Sequence, residues 1–167
     1  MLPKRARLKS FGYTGLYRYF LTFCTRQRFP AFTSPAPVDL VLAQFRRAAL
    51  REDVEISAYV FMPDHVHLLL AGRTAGARLR EWAHLAKQCS GYRYARTYGR
   101  KLWQPSYYDR VLREGEADLP VMAYILENPV RAGLAGRPED YPFLGCVVPP
   151  GEVFSAVRDA GYERWRP

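Results

Sequence analysis

The sequence predicts an α+β domain of the ferredoxin-like (RRM-like) kind, an antiparallel sheet with helices on one face plus an extra helix. Three observations predict it. Stretches rich in β-branched and aromatic residues alternate with stretches of helical apolar spacing, in the order β-α-β-β-α-β and then a helix. That order is the split βαβ arrangement. The 167 residues, about half of them apolar, are enough for one compact domain with a core and leave little room for a second.

The elements follow in order. Residues 1–10 carry Lys4, Arg5, Arg7 and Lys9 without periodicity and are expected to form a basic arm. YRYFLTFCT (17–25) has strand composition, with Tyr17, Tyr19, Leu21 and Phe23 sharing a face. Pro30, Pro35 and Pro37 break residues 26–37 into a loop. Val38, Val41, Leu42, Phe45 and Ala49 then recur at helical spacing up to Arg51. EISAYVFM (55–62) and HVHLLLA (65–71) read as a hairpin across the tight turn Pro63-Asp64.

A second helix is expected from Ala77 to about Arg96, with Leu79, Trp82, Leu85 and Ala86 inward and Arg78, Arg80, Lys87 and Arg93 outward. YYDRVLR (107–113) predicts a fourth strand. Asp118 is expected to cap the next helix, with Pro120 in its first turn. Pro129 should end that helix at Asn128, and Gly133 gives a sharp exit. Beyond residue 134, repeated Pro and Gly predict an irregular tail with a short helix near Val153–Ala160.

Composition narrows the partners. Twenty-five basic against 16 acidic residues leave a net charge of +9, which favours polyanions. Cys24, Cys89 and Cys146 are scattered and odd in number, so neither a disulfide framework nor a C-x-x-C metal knuckle is indicated. Three such thiols suit a reducing compartment. The basic N-terminus is followed by no apolar segment suited to a signal peptide, and no run is long enough to span a bilayer. A soluble, cytoplasmic protein with no membrane partner is expected.

Two motifs carry chemistry. In Pro63-Asp64-His65-Val66-His67-Leu68, strand alternation projects both imidazoles from one face, a natural metal-binding edge. Two histidines hydrogen-bonded within a polar patch is the plainer alternative. The second motif is Tyr124-Ile125-Leu126-Glu127-Asn128-Pro129, which puts Tyr124 and Asn128 on one helical face. A phenol beside a bound phosphate can act as a nucleophile, and an amide oxygen is a hard ligand suited to magnesium or manganese. Equally, Tyr124 could be a core tyrosine and Asn128 a helix cap.

The strings VFMPDHVHLLL (60–70), LWQPSYYDRVLRE (102–114) and YILENPVRAGL (124–134) resemble the REP-associated tyrosine transposases. These belong to the HUH single-strand DNA transposase superfamily, named for its His-hydrophobic-His motif. The likeness covers roughly residues 11–145, leaving 1–10 as the arm and 146–167 as a C-terminal tail. It implies an enzyme that cuts and rejoins single-stranded DNA at hairpins or palindromic repeats through a 5′-phosphotyrosine. His65 and His67 match the metal-binding histidines, Tyr124 the nucleophile, and Asn128 the third ligand position, which is Gln in some relatives. Mg2+ or Mn2+ is the implied cofactor, and a monomer is favoured over a dimer.

For DNA contacts the candidates are Lys4, Arg5, Arg7 and Lys9 in the arm, and Lys87, Arg93, Arg96, Arg100 and Lys101 around the end of the second helix. Trp103, beside Lys101 in a loop that looks exposed, is the base-stacking candidate. Tyr107 and Tyr108 are expected in sheet packing or base stacking, and His84 as a structural histidine. The competing readings are a ferredoxin-like single-strand binder without catalysis and a zinc hydrolase built on His65 and His67.

Overall fold

The computed structural model describes residues 12–113, 116–163 and 165–167. The basic arm with Lys4, Arg5, Arg7 and Lys9 lies outside them. Strands β1 (Arg18–Cys24), β2 (Val54–Met62) and β3 (His65–Gly72) form the centre of a five-stranded antiparallel sheet. Two short strands, β4 (Tyr108–Val111) and β5 (Leu144–Cys146), complete it in the order β4-β1-β3-β2-β5.

Alternation along the strands divides the apolar residues between two cores. Tyr19, Leu21 and Phe23 of β1 and Val66, Leu68 and Leu70 of β3 face α1 (Pro35–Glu52) and α2 (Leu79–Tyr98). Trp82 and Phe45 pack edge to face at 5.6 Å in that layer. Phe20, Ala58, Val60, Met62 and Leu69 point the other way, towards α3 (Asp118–Leu126) and α5 (Pro150–Asp159). The period of two that fills one core therefore also loads the second.

Several local expectations are corrected. The first helix begins at Pro35, three residues before Val38, because its prolines occupy the first turn, where a missing N–H costs nothing. Asp118 is the first helical residue; Ala117 stands at the N-cap, and the Asp118 carboxylate pairs with Arg18 at 2.9 Å. The helix does not stop at Asn128. It closes at Leu126, and the chain restarts as α4 (Asn128–Arg131) with Pro129 in its first turn. Gly133, with φ of 70°, makes the expected exit.

The region after residue 134 is more ordered than its composition suggests. It supplies β5, which pairs with β2, and α5, whose Val153 is fully buried. Trp165 is 8 % exposed and packs on Phe20 with ring centres 5.0 Å apart. No helix among the described residues is long and apolar enough to cross a membrane.

Candidate active site

His65 and His67 lie on β3 on the α3 side of the sheet, with ring centres 4.7 Å apart. Their positions on the ladder explain their partners. Thr22 of β1 stands directly across from His67, and its hydroxyl lies 2.8 Å from His67 Nδ1. Asp64, in the turn that starts β3, holds His65 Nδ1 at 2.6 Å. Arg28 secures the other oxygen of that carboxylate at 2.8 Å. With each Nδ1 engaged by a neighbour, each Nε2 is the atom left to bind a ligand, which is how metal-ligating imidazoles are usually oriented.

Their surroundings bias both rings towards the neutral form. Burial, followed by the charges of His65, Arg131 and Arg28, puts His67 well below its ordinary 6.5. Burial also lowers His65, and the hydrogen bond and charge of Asp64 act in the opposite direction. Neutral imidazole is the form that coordinates a metal.

Tyr124 reaches this pair from α3. Its ring centre is 6.0 Å from that of His67, and Phe20 and Trp165 meet it edge-on at 5.9 and 5.2 Å. Burial raises the phenol above its ordinary 10.0, the Arg131 guanidinium pulls it down by charge and hydrogen bonding, and Tyr108 adds to the rise. Asn128 is held as a cap. Its Nδ2 donates to the carbonyls of Tyr124 and Ile125 at 2.9 and 3.3 Å, which have run out of helical partners at the end of α3. With the amide nitrogen so used, Oδ1 is the atom of Asn128 left to act as a ligand.

Among the described residues no group of three His, Cys, Asp or Glu side chains stands in metal-binding geometry, so of these residue types the site offers the two imidazoles of His65 and His67. The zinc-hydrolase reading lacks its third ligand for the same reason. A cavity of about 550 Å³ between α1 and α2, lined by Arg51, Glu52, Arg78 and His84 among others, lies on the opposite face of the sheet from this constellation.

The DNA-contact candidates divide. Arg93, Arg96, Arg100 and Lys101 are exposed at the end of α2 and just beyond it, Arg100 lying over the Phe29 ring at 3.7 Å. Lys87 is committed to the protein: Nζ donates to the carbonyls of Gln104, Pro105 and Ser106 at 2.7, 3.3 and 3.1 Å. Trp103 does not sit in an exposed loop. It packs against Phe23, Phe32 and Phe45, and its indole N–H donates to Ser90 Oγ at 2.9 Å. Tyr107 and Tyr108 pack on Phe23 and Phe20; the fourth strand is shorter than the expected 107–113, so that Tyr108 opens β4 and Tyr107 lies just before it.

Sequence reasoning missed Thr22, Arg28, Arg131 and Trp165. Thr22 was legible only through the register of β1 on β3, and Arg131 through its seven-residue spacing from Tyr124. Nothing in the sequence ties Trp165 to the site.

The chain belongs to the IS200-like transposase family, whose model matches residues 14–128. A protein of Haemophilus influenzae assigned as a REP-associated tyrosine transposase is 23 % identical over 136 residues, 75 % of this chain and 77 % of that one. The fold is shared with a REP-associated tyrosine transposase solved bound to a REP hairpin. That likeness has a TM-score of 0.68 at 19 % identity, covering 98 % of this chain and 92 % of the other. A Deinococcus radiodurans protein assigned as a transposase is 26 % identical with a TM-score of 0.51, covering 64 % and 86 %.

Proposed function

We propose that the chain cleaves and rejoins single-stranded DNA at hairpin or palindromic repeat sequences, with Tyr124 as nucleophile and a divalent ion, Mg2+ or Mn2+, held by His65, His67 and Asn128. The observation that carries this reading is the Tyr124 ring beside a histidine pair whose Nδ1 atoms are already engaged. When bound, the ion supplies Lewis-acid polarisation of the scissile phosphate.

The Tyr124 oxygen bonds to phosphorus as the bond from phosphorus to the 3′-oxygen breaks. The phenol gives up its proton and the 3′-oxygen takes one up, leaving a 5′-phosphotyrosine and a free 3′-hydroxyl. The new ester keeps the bond energy of the old one, so a second 3′-hydroxyl reverses the step and joins strands without a nucleotide cofactor. Burial holds the resting phenol protonated, and Arg131 is the group on this chain that favours the phenolate. Arg93, Arg96, Arg100 and Lys101, with the basic arm of Lys4, Arg5, Arg7 and Lys9, meet the phosphates flanking the cut. The REP hairpin bound to the structural relative supports the choice of partner.

Incubation with hairpin-containing single-stranded DNA and manganese should give a protein–DNA adduct on a denaturing gel. The adduct should be absent with EDTA and in Tyr124→Phe. An adduct that persists in Tyr124→Phe would assign the nucleophile elsewhere.

A further inference from the structure

Arg131 has a place in this site that neither its sequence neighbourhood nor the family match specifies. The break between α3 and α4 lets its side chain return to the end of α3. There Nη2 donates to the Tyr124 carbonyl at 2.9 Å and Nη1 pairs with Glu127 Oε2 at 3.1 Å. The guanidinium carbon lies 4.3 Å from the centre of the Tyr124 ring. One planar group thus touches both the backbone and the ring of the same residue, with Glu127 fixing its third side. Phe20, His67 and Trp165 also meet the ring, each of them edge-on, so that the guanidinium is the group lying over its face.

A nucleophile must be held close to its phosphorus and in line with the leaving group, and a misplacement of about 1 Å costs about 100-fold in rate. We propose that Arg131 is a positioning residue for Tyr124, its guanidinium clamping ring and backbone together so that the phenol keeps its place beside His67. The proposal rests on Tyr124 being the nucleophile. Its chemistry calls for arginine in particular. A planar fork can satisfy two acceptors while lying on an aromatic face, whereas an ammonium supplies charge at a single point.

The test compares Arg131→Ala, Arg131→Lys and wild type by single-turnover adduct formation, DNA affinity and 19F NMR of protein labelled with 3-fluorotyrosine. The 12 tyrosines give a crowded spectrum, and Tyr124 is identified as the line lost in Tyr124→Phe. Arg131→Ala should slow adduct formation about 10- to 100-fold with DNA affinity retained, and should shift or broaden the Tyr124 line. Arg131→Lys should resemble Ala more than wild type. A lysine variant as fast as wild type would overturn the clamp in favour of simple charge, and so would an unmoved Tyr124 line in Arg131→Ala. Failure of the nucleophile assignment appears separately, as an adduct in Tyr124→Phe or none in wild type. The fluorine line alone then decides whether Arg131 holds the ring.

Discussion

His67 is 4 % exposed, and the metal role proposed for it requires an unprotonated ring nitrogen. Burial, and after it the charges of His65, Arg131 and Arg28, penalise the protonated ring, so its folded pKa falls well below the unfolded value of 6.5. His65 shifts in the same direction. The sign follows: below pH 6.5 the unfolded chain takes up protons that the folded chain refuses. Stability is therefore full above that pH and is lost as pH falls towards the folded values. Urea unfolding of wild type at pH 7 and pH 5.5 should show the loss, and His67→Gln, which has no ionisable ring, should lose less. Equal slopes in the two proteins would remove His67 as the source. The paired histidines were legible from strand alternation. Their partners were legible only in part, because Asp64 is adjacent in sequence whereas Thr22 is 45 residues away and depends on register.

Among the elements, the two cores differ in how far the sequence foretold them. α1 shows its apolar stripe plainly and β1 to β3 have strand composition throughout, so the frame of the first core was legible, whereas Phe32 and Trp103, read as loop residues, join it only through the fold. β5 was missed because three residues between prolines have no periodicity to detect. What fixes it is contact: Gly145 lies opposite Tyr59, and a Cβ there would come within 2.6 Å of the tyrosine ring. Gly145→Ala should lower stability by about 1–3 kcal/mol, the usual cost of overpacking, as ring or strand moves aside. Gly136→Ala, where a Cβ meets nothing within 4 Å, is the control and should leave the melting temperature unchanged. α4 escaped notice for a different reason. Proline has no N–H to return to the Ile125 carbonyl, which suits the close of α3, yet it fits well in the first turn of α4, and the residue before it, Asn128, is itself helical.

For the whole molecule the governing number is the charge of +9. The exposed cations at the end of α2 carry their charge with no acidic residue among positions 89–101. Affinity for single-stranded DNA should fall with salt at a slope of about −0.7 per phosphate neutralised. Removing Arg96, Arg100 and Lys101 together should flatten that slope, as measured by fluorescence anisotropy over a salt series. A slope unchanged by the triple substitution would move the phosphate contacts to other cations. Trp103 shows the limit of reading such a surface from sequence. A tryptophan two residues after Lys101 and followed by Gln104 looks exposed, and the bridge between Thr25 and Trp103 shows that the loop is drawn onto the core.

The pairing of β5 with β2 also bears on the company the protein keeps. A strand at the rim of a sheet offers a row of N–H and C=O groups to any extended peptide that comes near. At Ala58–Val60 those groups are already matched by Leu144–Cys146, and at the opposite rim β1 is covered by the four residues of β4. Both borders of the long central strands are thus finished by short segments of the same chain. A protein proposed to act on single-stranded DNA has the middle of its outermost long strands kept from pairing with those of a neighbouring molecule.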